Sequence, residues 1–490
     1  MYRLHGQDAN WLYRETLTTP MHTLKIFLVS LGPDQHLDFE TVKTSTARLL
    51  HEVPMLRQRP VFVPYGLHHP VMIEDPEFDL QYHLNRAALP APGSVLELEE
   101  AIAHIDSHPL DQTRPLWQFW VLEGLDNGQI ALVQKIHHTL ADGMASVNFI
   151  MRVWQSGYHD PDTVPPPWTP EPMPSRGRLL WDALKDHIKY DIGNLPSFCR
   201  SIYRSVWAVK KQEQPELSPT VRGLNGDVPK LRWNRAISSR RSFAMAQMQL
   251  AELKALKDKL GGTLNDVVLG LVAGAVRGYL LERDELPDQP LLVTVPVSRD
   301  LKDTSRESGN ATAVTYTLLH VDIADSLVRY EAIRASTERG MRDLEIVGRD
   351  TFALMMHYIP PIMQQSLAEH NYHKQLADGE KFKIPANLSV SNVPGPREKF
   401  AALGNVVEDL YSAGPLVEGM GLNITVWSYA GNMNFSLVGC MKALPDIHEI
   451  AERLGAALEE LGGRETPAAA APAADCQPES TPVGEIRQKV

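Results

Sequence analysis

Cysteine is scarce in this 490-residue chain: Cys199, Cys440 and Cys476 stand too far apart for a zinc site or a disulfide framework. The setting expected from that is reducing and cytoplasmic. Positive charge is not in excess either. Against 60 Asp and Glu there are 48 Lys and Arg, and the net charge of −12 argues against nucleic acid as the main partner. No apolar run is long enough to span a bilayer. The longest, Val267 to Val276, is cut at Arg277 and falls short of the roughly 20 residues required. The start, Met1-Tyr-Arg-Leu-His-Gly-Gln-Asp, carries no apolar signal core. The expectation is a protein in the cytoplasm, or one lying on a membrane face or a lipid inclusion without crossing it. No Gly-x-Ser-x-Gly elbow appears, so a covalent intermediate has no visible carrier.

What is present is a large hydrophobic share, 43%, enough for a sizeable core divided into two or more lobes. Strand-like and helix-like segments alternate from residue 1 to about 158. Leu24 to Val29 reads as a strand and Phe39 to Val53 as a helix. Trp117 to Leu122 and Ile130 to Ile136 flank Asp126-Asn127-Gly128 as an antiparallel hairpin. Residues 159–233 combine a Pro-rich linker around Pro165-Pro166-Pro167 with helical material from Leu179 to Val209. That stretch is basic and aromatic between 176 and 211, with Arg176, Lys185, Lys189, Trp181 and Trp207 among others. It suits either an anionic membrane or droplet surface, or an inter-lobe connector whose apolar stripe packs on the core; the pattern favours the connector. A second lobe spans 234–463, with helices at Leu250–Leu260 and from an Asn265-Asp266 cap to Leu281. Strands are expected at Leu291–Val297, Thr312–Val321 and Asn387–Val393, and a hairpin over Leu422–Val438. The Ala- and Pro-rich tail, 464–490, lacks apolar periodicity and reads as disordered.

The chemistry concentrates in His137-His138-Thr139-Leu140-Ala141-Asp142-Gly143. With 18 His and 60 acidic residues, a His followed by an acid at +4 should occur about twice by chance. A preceding His and a following Gly lower that expectation to about 0.005 per chain. His187 and Asp191 repeat the bare spacing inside an amphipathic pattern and read as ordinary helix surface. In the full run a strand ends at a His and a helix begins at Asp142. A neutral imidazole there can take a proton from a hydroxyl as that hydroxyl attacks a carbonyl. Without a nucleophile motif, direct transfer in a ternary complex is favoured. Asp142 could relay charge to His138, but its N-cap position favours a structural role toward backbone N–H groups or an arginine. Gly143 lets the turn come close to the imidazole. His137 should point to the opposite face from His138. No other ligand cluster lies near, so no metal is expected.

These residues resemble the bacterial wax ester synthase/diacylglycerol acyltransferase family, within the CoA-dependent acyltransferases that share the His-His-x-x-x-Asp-Gly motif. The likeness runs from about Gln7 to Gly462. It rests also on Pro115-Leu116-Trp117, Asn265-Asp266-Val267-Val268-Leu269, Ser391-Asn392-Val393-Pro394-Gly395-Pro396, an early Asp75-Pro76-Glu77-Phe78-Asp79 and a late Gly421-to-Gly431 hairpin. The resemblance implies an α/β (α+β) fold of two chloramphenicol-acetyltransferase-like lobes, mixed sheets flanked by helices, with a tunnel and active site at their interface. It implies long-chain acyl-CoA as co-substrate, a diacylglycerol or long-chain fatty alcohol as acceptor, and no further cofactor. Carried over, His138 is the general base, with His137 and Asp142 in support. Asn265 is then either a donor to the oxyanion or to His138, or simply a helix cap; Asp266 either belongs to the site or favours the helix dipole. Ser391 and Asn392 fall near the lobe interface, and Pro115-Leu116-Trp117 packs behind the His strand. Two other readings stay open. One is a condensation-type enzyme using carrier-protein thioesters; the other is a catalytically silent lipid-binding or droplet-coating protein. A plant-type alcohol acyltransferase would show a late Asp-Phe-Gly-Trp-Gly, which is missing.

Overall fold

The computed structural model describes the chain outside residues 33–36, 157–167, 212–217, 227, 300–305, 307, 378–382 and 464–490. The Pro165–Pro167 run and the tail therefore lie outside the described residues. The first half runs β1 (Tyr2–Arg3), α1 (Gly6–Arg14), β2 (His22–Ser30), α2 (Phe39–Glu52), β3 (Gln58–Val61), β4 (Val71–Glu74), α3 (Leu80–His83), β5 (Leu84–Ala88), α4 (Val95–Asp106), β6 (Trp117–Glu123), β7 (Ile130–His137) and α5 (Gly143–Ser156). Then come α6 (Arg176–Asp186), a π-helical turn (His187–Asp191), α7 (Ile192–Lys210) and α8 (Pro219–Asn225). The second half holds β8 (Arg241–Gln249), α9 (Leu250–Leu260), α10 (Leu264–Leu281), β9 (Leu291–Ser298), β10 (Thr312–Leu319), α11 (Ser326–Val347), α12 (Thr351–Tyr358) and α13 (Pro361–Ala377). It closes with β11 (Leu388–Pro394), β12 (Ala401–Ala402), β13 (Asn405–Ala413), β14 (Leu422–Tyr429), β15 (Asn432–Cys440) and α14 (His448–Gly463).

Two six-stranded mixed sheets organise these elements, in the orders β12-β13-β2-β7-β6-β5 and β10-β9-β11-β14-β15-β8, beside a small β1-β4-β3 sheet. β6 and β7 pair antiparallel, as the Asn-Gly signal between them requires. The sheets do not respect a division of the chain at residue 234. Asn405–Ala413, from the second half, completes the first sheet by pairing antiparallel with β2, Leu410 opposite Phe27 and Ser412 opposite Lys25. The same strand touches the second sheet: the Ser412 N–H donates to Ser436 Oγ at 3.2 Å and Asn434 Nδ2 donates to the Leu410 carbonyl at 2.9 Å. The two sheets thus meet along β13. One core accordingly mixes Phe27, Leu132, Ile136 and Trp117 with Leu410, Trp427 and Tyr429.

Local chemistry explains the helix starts. Ser94 and Glu97 form a capping box on α4. The cap of α10 is Thr263, whose hydroxyl accepts from the Asp266 N–H while the Asp266 carboxylate accepts from the Thr263 N–H at 2.8 Å. The expected Asn265 cap is displaced: Asn265 is the second residue of the helix. α10 is long and apolar enough to cross a membrane, yet two-thirds of it is buried within the second lobe. Helices α6 and α7, with the π-helical turn between them, bury Leu179 and Ala183 but leave Trp181, Leu184, Ile188, Leu195, Tyr203 and Trp207 exposed. The stripe packs on the core only in part.

Candidate active site

β7 is buried along its whole length, and its ladder with β2 runs one residue past the strand, where the His138 N–H donates to the Met21 carbonyl at 2.8 Å. The Leu140 N–H then donates to the His137 carbonyl at 3.0 Å, which closes the turn into α5. Behind the strand, the Leu116 carbonyl accepts from the His137 N–H at 3.0 Å. Trp117 donates its indole N–H to the Leu56 carbonyl at 2.7 Å and stacks on His83. Pro115-Leu116-Trp117 therefore fixes the strand from its far edge.

The two histidines part ways, as alternation along an extended chain demands. His137 is fully buried; its Nδ1 accepts from the Thr139 N–H at 3.1 Å and its Nε2 faces the Glu15 carboxylate at 3.3 Å. Glu15 also accepts from the Met21 N–H and from Gln112. Burial alone would raise the Glu15 pKa, but His137 and these donors pull it down to about 2. His138 keeps some exposure. Its ring stacks on Trp11 of α1, centroids 4.0 Å apart and planes 15° apart. Its Nδ1 is buried and bonded to no other residue among those described, which leaves Nε2 as the nitrogen through which the ring can meet a reactant. Burial pushes the His138 pKa down to about 4; Asp142 opposes that shift, and Lys25 and His137 reinforce it. The imidazole is therefore neutral across the physiological range.

Asp142 is a hub that ties the two halves together. Its Oδ1 accepts from the Ala145 N–H at 3.1 Å, capping α5. Its Oδ2 accepts from Arg306 Nη2 at 2.6 Å, the Ala311 N–H at 2.9 Å and the Thr312 hydroxyl at 3.1 Å. Burial would raise its pKa, but Arg306 and these donors lower it. Asn310 donates to the His138 carbonyl and to Asp8, both at 2.8 Å, so α1, the motif turn and the start of β10 form one knot. Gly143 does not adopt the left-handed region, so the turn does not need its conformational freedom. It faces the second half instead, and a Cβ there would lie 3.4 Å from Trp427 Cζ2 and 3.6 Å from Val393.

The other expected residues are placed as follows. Ser391 and Asn392 lie on β11 opposite Thr425 and Val426, just before Val393. Asp266 is engaged in the α10 capping box. Among the described residues no hydrogen bond joins Asn265 to His138; the asparagine at the His strand is Asn310. Sequence reading missed Asp8, Trp11, Glu15, Arg306 and Asn310, which lack any local pattern and reach the motif from 120 or more positions away. Among the described residues no group of three or more His, Cys, Asp or Glu is placed to hold a metal ion.

The family model described as "Wax ester synthase/diacylglycerol acyltransferase catalytic domain" matches residues 4–268, and that of the WS/DGAT C-terminal domain matches 308–462. The chain belongs to this family. It is an acyltransferase with the two-lobed, chloramphenicol-acetyltransferase-like fold. A Mycobacterium tuberculosis protein provisionally named a diacylglycerol O-acyltransferase is 35% identical over 455 residues, 92% of this chain and 93% of the relative. A second from that organism is 34% identical over 474 residues, 94% and 97%. The wax ester synthase/diacylglycerol acyltransferase of Marinobacter aquaeolei VT8 superposes with a TM-score of 0.65 at 26% identity, covering 94% of this chain and 98% of that one. The starter condensation domain of rhizomide synthetase, at 13% identity and a TM-score of 0.52 over 94% and 92%, shares the fold.

Proposed function

We propose that this family member transfers a long-chain acyl group from acyl-CoA to the hydroxyl of a diacylglycerol or a long-chain alcohol, with His138 as general base. The reading is carried by one observation: a neutral imidazole with one available nitrogen, clamped by Trp11 and by an Asp142 knot, where the two halves of the chain meet. His138 Nε2 takes the acceptor proton as the oxygen attacks the thioester carbonyl. The C–S bond then breaks, and the thiolate recovers the proton from the imidazolium. Asp142 holds the loop and its charge favours that imidazolium, while His137 and Glu15 fix the strand. The names of the mycobacterial and Marinobacter relatives support the two acceptor classes.

The proposal extends to where the enzyme works. Trp181, Leu184 and Ile188 are exposed beside Tyr65, Leu67, Ile362 and Met363, and His187 Nε2 bonds the Leu67 carbonyl at 2.8 Å, joining the helix to that loop. Exposed Arg176, Arg178, Lys185 and Lys189 border this apolar surface in a chain of net negative charge. Such a patch suits peripheral docking on an anionic lipid surface on the cytoplasmic side. One experiment addresses both parts. Purified protein receives palmitoyl-CoA with hexadecanol or dipalmitoylglycerol in anionic vesicles, while free thiol and vesicle co-sedimentation are followed. Acceptor-dependent thiol release and salt-sensitive sedimentation are expected. No thiol release with either acceptor overturns the catalytic reading in favour of a lipid-binding protein, and protein that stays in the supernatant overturns the docking surface.

A further inference from the structure

The sheet face that carries His138 also carries polar side chains that the reaction above does not use. Ile136 and Gln134 precede His138 at two-residue steps, so all three project from one face of β7. Thr23 stands directly opposite Ile136 on β2, and Lys25 opposite Gln134. Gln134 is fully buried, and neither atom of its amide has a partner among the described residues. Thr23 is 4% exposed and its hydroxyl is likewise unpartnered. Lys25 is 1% exposed, and one bond, to Ser412 Oγ at 2.7 Å, engages one of its N–H donors. Its Nζ lies 5.5 Å from the ring centroid of Trp427, whose buried indole N–H has no partner among the described residues either. The six-membered ring of Trp427 abuts Gly143, so the strip begins at the motif turn and continues along β7 and β2.

Buried polar groups without partners are costly unless something satisfies them when the protein works. Spare donors outnumber spare acceptors here: at least one N–H on Lys25, whose pKa burial lowers to about 7, two on Gln134, one on Trp427 and one hydroxyl. A ligand that answers them must offer several acceptor oxygens and few donors, within reach of a hydroxyl held at His138. Along the strand, Ile136 and Thr23 lie about 7 Å from His138 and Gln134 and Lys25 about 13 Å, before the reach of their side chains is subtracted. The two ester groups of a diacylglycerol match that composition and span. A fatty alcohol offers hydrocarbon over the same distance and would leave every donor unanswered. We infer that Gln134, Lys25, Thr23 and Trp427 form an ester-recognition strip that selects diacylglycerol over long-chain alcohols as acyl acceptor. This rests on the acyl-transfer reading above.

The test compares kcat/KM for dipalmitoylglycerol and hexadecanol, with palmitoyl-CoA as donor, in the parent and in Gln134→Met and Lys25→Met. The ratio of the two acceptors is read within each preparation, so any inactive fraction cancels. The parent should favour dipalmitoylglycerol, and each variant should lower that ratio by about tenfold or more, because the replaced donor no longer answers an ester oxygen. A ratio that stays within about twofold in both variants overturns the strip. So does a rise confined to the KM for palmitoyl-CoA, which would place these groups on the donor. If the parent acylates neither acceptor, the catalytic reading falls, and equilibrium dialysis with dioctanoylglycerol and decanol decides the strip separately. Tighter parent binding of dioctanoylglycerol, lost in Gln134→Met, sustains it; equal binding of the two ligands ends it.

Discussion

Replacing Asp142 with alanine tests whether its carboxylate holds the two halves of the site together. The residue is 5% exposed and its carboxylate takes four hydrogen bonds. Two come from backbone N–H groups, of Ala145 and Ala311, which lose their partner in the variant at about 1–3 kcal/mol each. Removing one member of a buried ion pair costs about 3–5 kcal/mol. The Arg306 side chain is 25% exposed and can recover water, so the pair falls below that range. These contributions overlap, and about 3–4 kcal/mol is the reasonable total. An unfolding entropy of about 2.1 cal/mol/K per residue amounts to about 1 kcal/mol/K for this length, so Tm should fall by about 3–4 °C. Scanning calorimetry measures that directly. The rate should fall too, and with a signature. The Asp142 charge favours protonated His138, so without it the acid limb of the kcat/KM profile in the residual activity should move to lower pH. An Asp142→Ala protein that melts with the parent, or whose acid limb moves upward, would refute the knot.

His138→Ala should separate rate from stability: a loss of about 10²–10⁴ in kcat against a small drop in Tm, because the buried Nδ1 bonds no other described residue and the stacking on Trp11 is what the variant loses. Near-normal turnover would remove His138 from the mechanism. A third expectation concerns acid. His22, His68 and His69 are buried, and burial pushes their pKa values down to about 4, 2 and 4. The unfolded chain takes up those protons near pH 6.5, while the folded one resists them to about pH 4 or below. The stability these three rings contribute is therefore whole above pH 6.5 and drains away as pH falls from 6.5 toward 4; Asp8 and Glu418, raised by burial to about 6 and 7, offset part of it. Tm should drop between pH 7 and pH 5, and less steeply in His68→Gln; a level Tm across that range would count against burial of these rings.

What the sequence made legible was local. The His strand, its hairpin partner and the turn into α5 follow from short-range periodicity and an Asn-Gly pair, and appear with nearly the expected bounds. What stayed hidden was long-range. β13 pairs with a strand some 380 positions earlier, and no pattern in Asn405–Ala413 names that partner. Arg306 and Asn310 reach the motif from the second half in the same way. The α10 cap was misplaced by two residues because Thr, Asn and Asp are all good caps and they fall together at 263, 265 and 266. One distant feature did leave a trace. A lone lysine inside Leu24-Lys-Ile-Phe-Leu-Val29 is out of place in an apolar strand, and Lys25 is the buried amine of the polar strip.

The crossing of β13 also sets a timetable for synthesis. As the chain leaves the ribosome, β2 can join β7 once residue 137 is free, but its other edge stays open until residue 413 has emerged. At 5–20 residues per second, a rough range, the gap is of order tens of seconds, during which an apolar strand offers unsatisfied backbone groups to any passing neighbour. The nascent first half is therefore the stage at which the β2 edge is most open to wrong pairing.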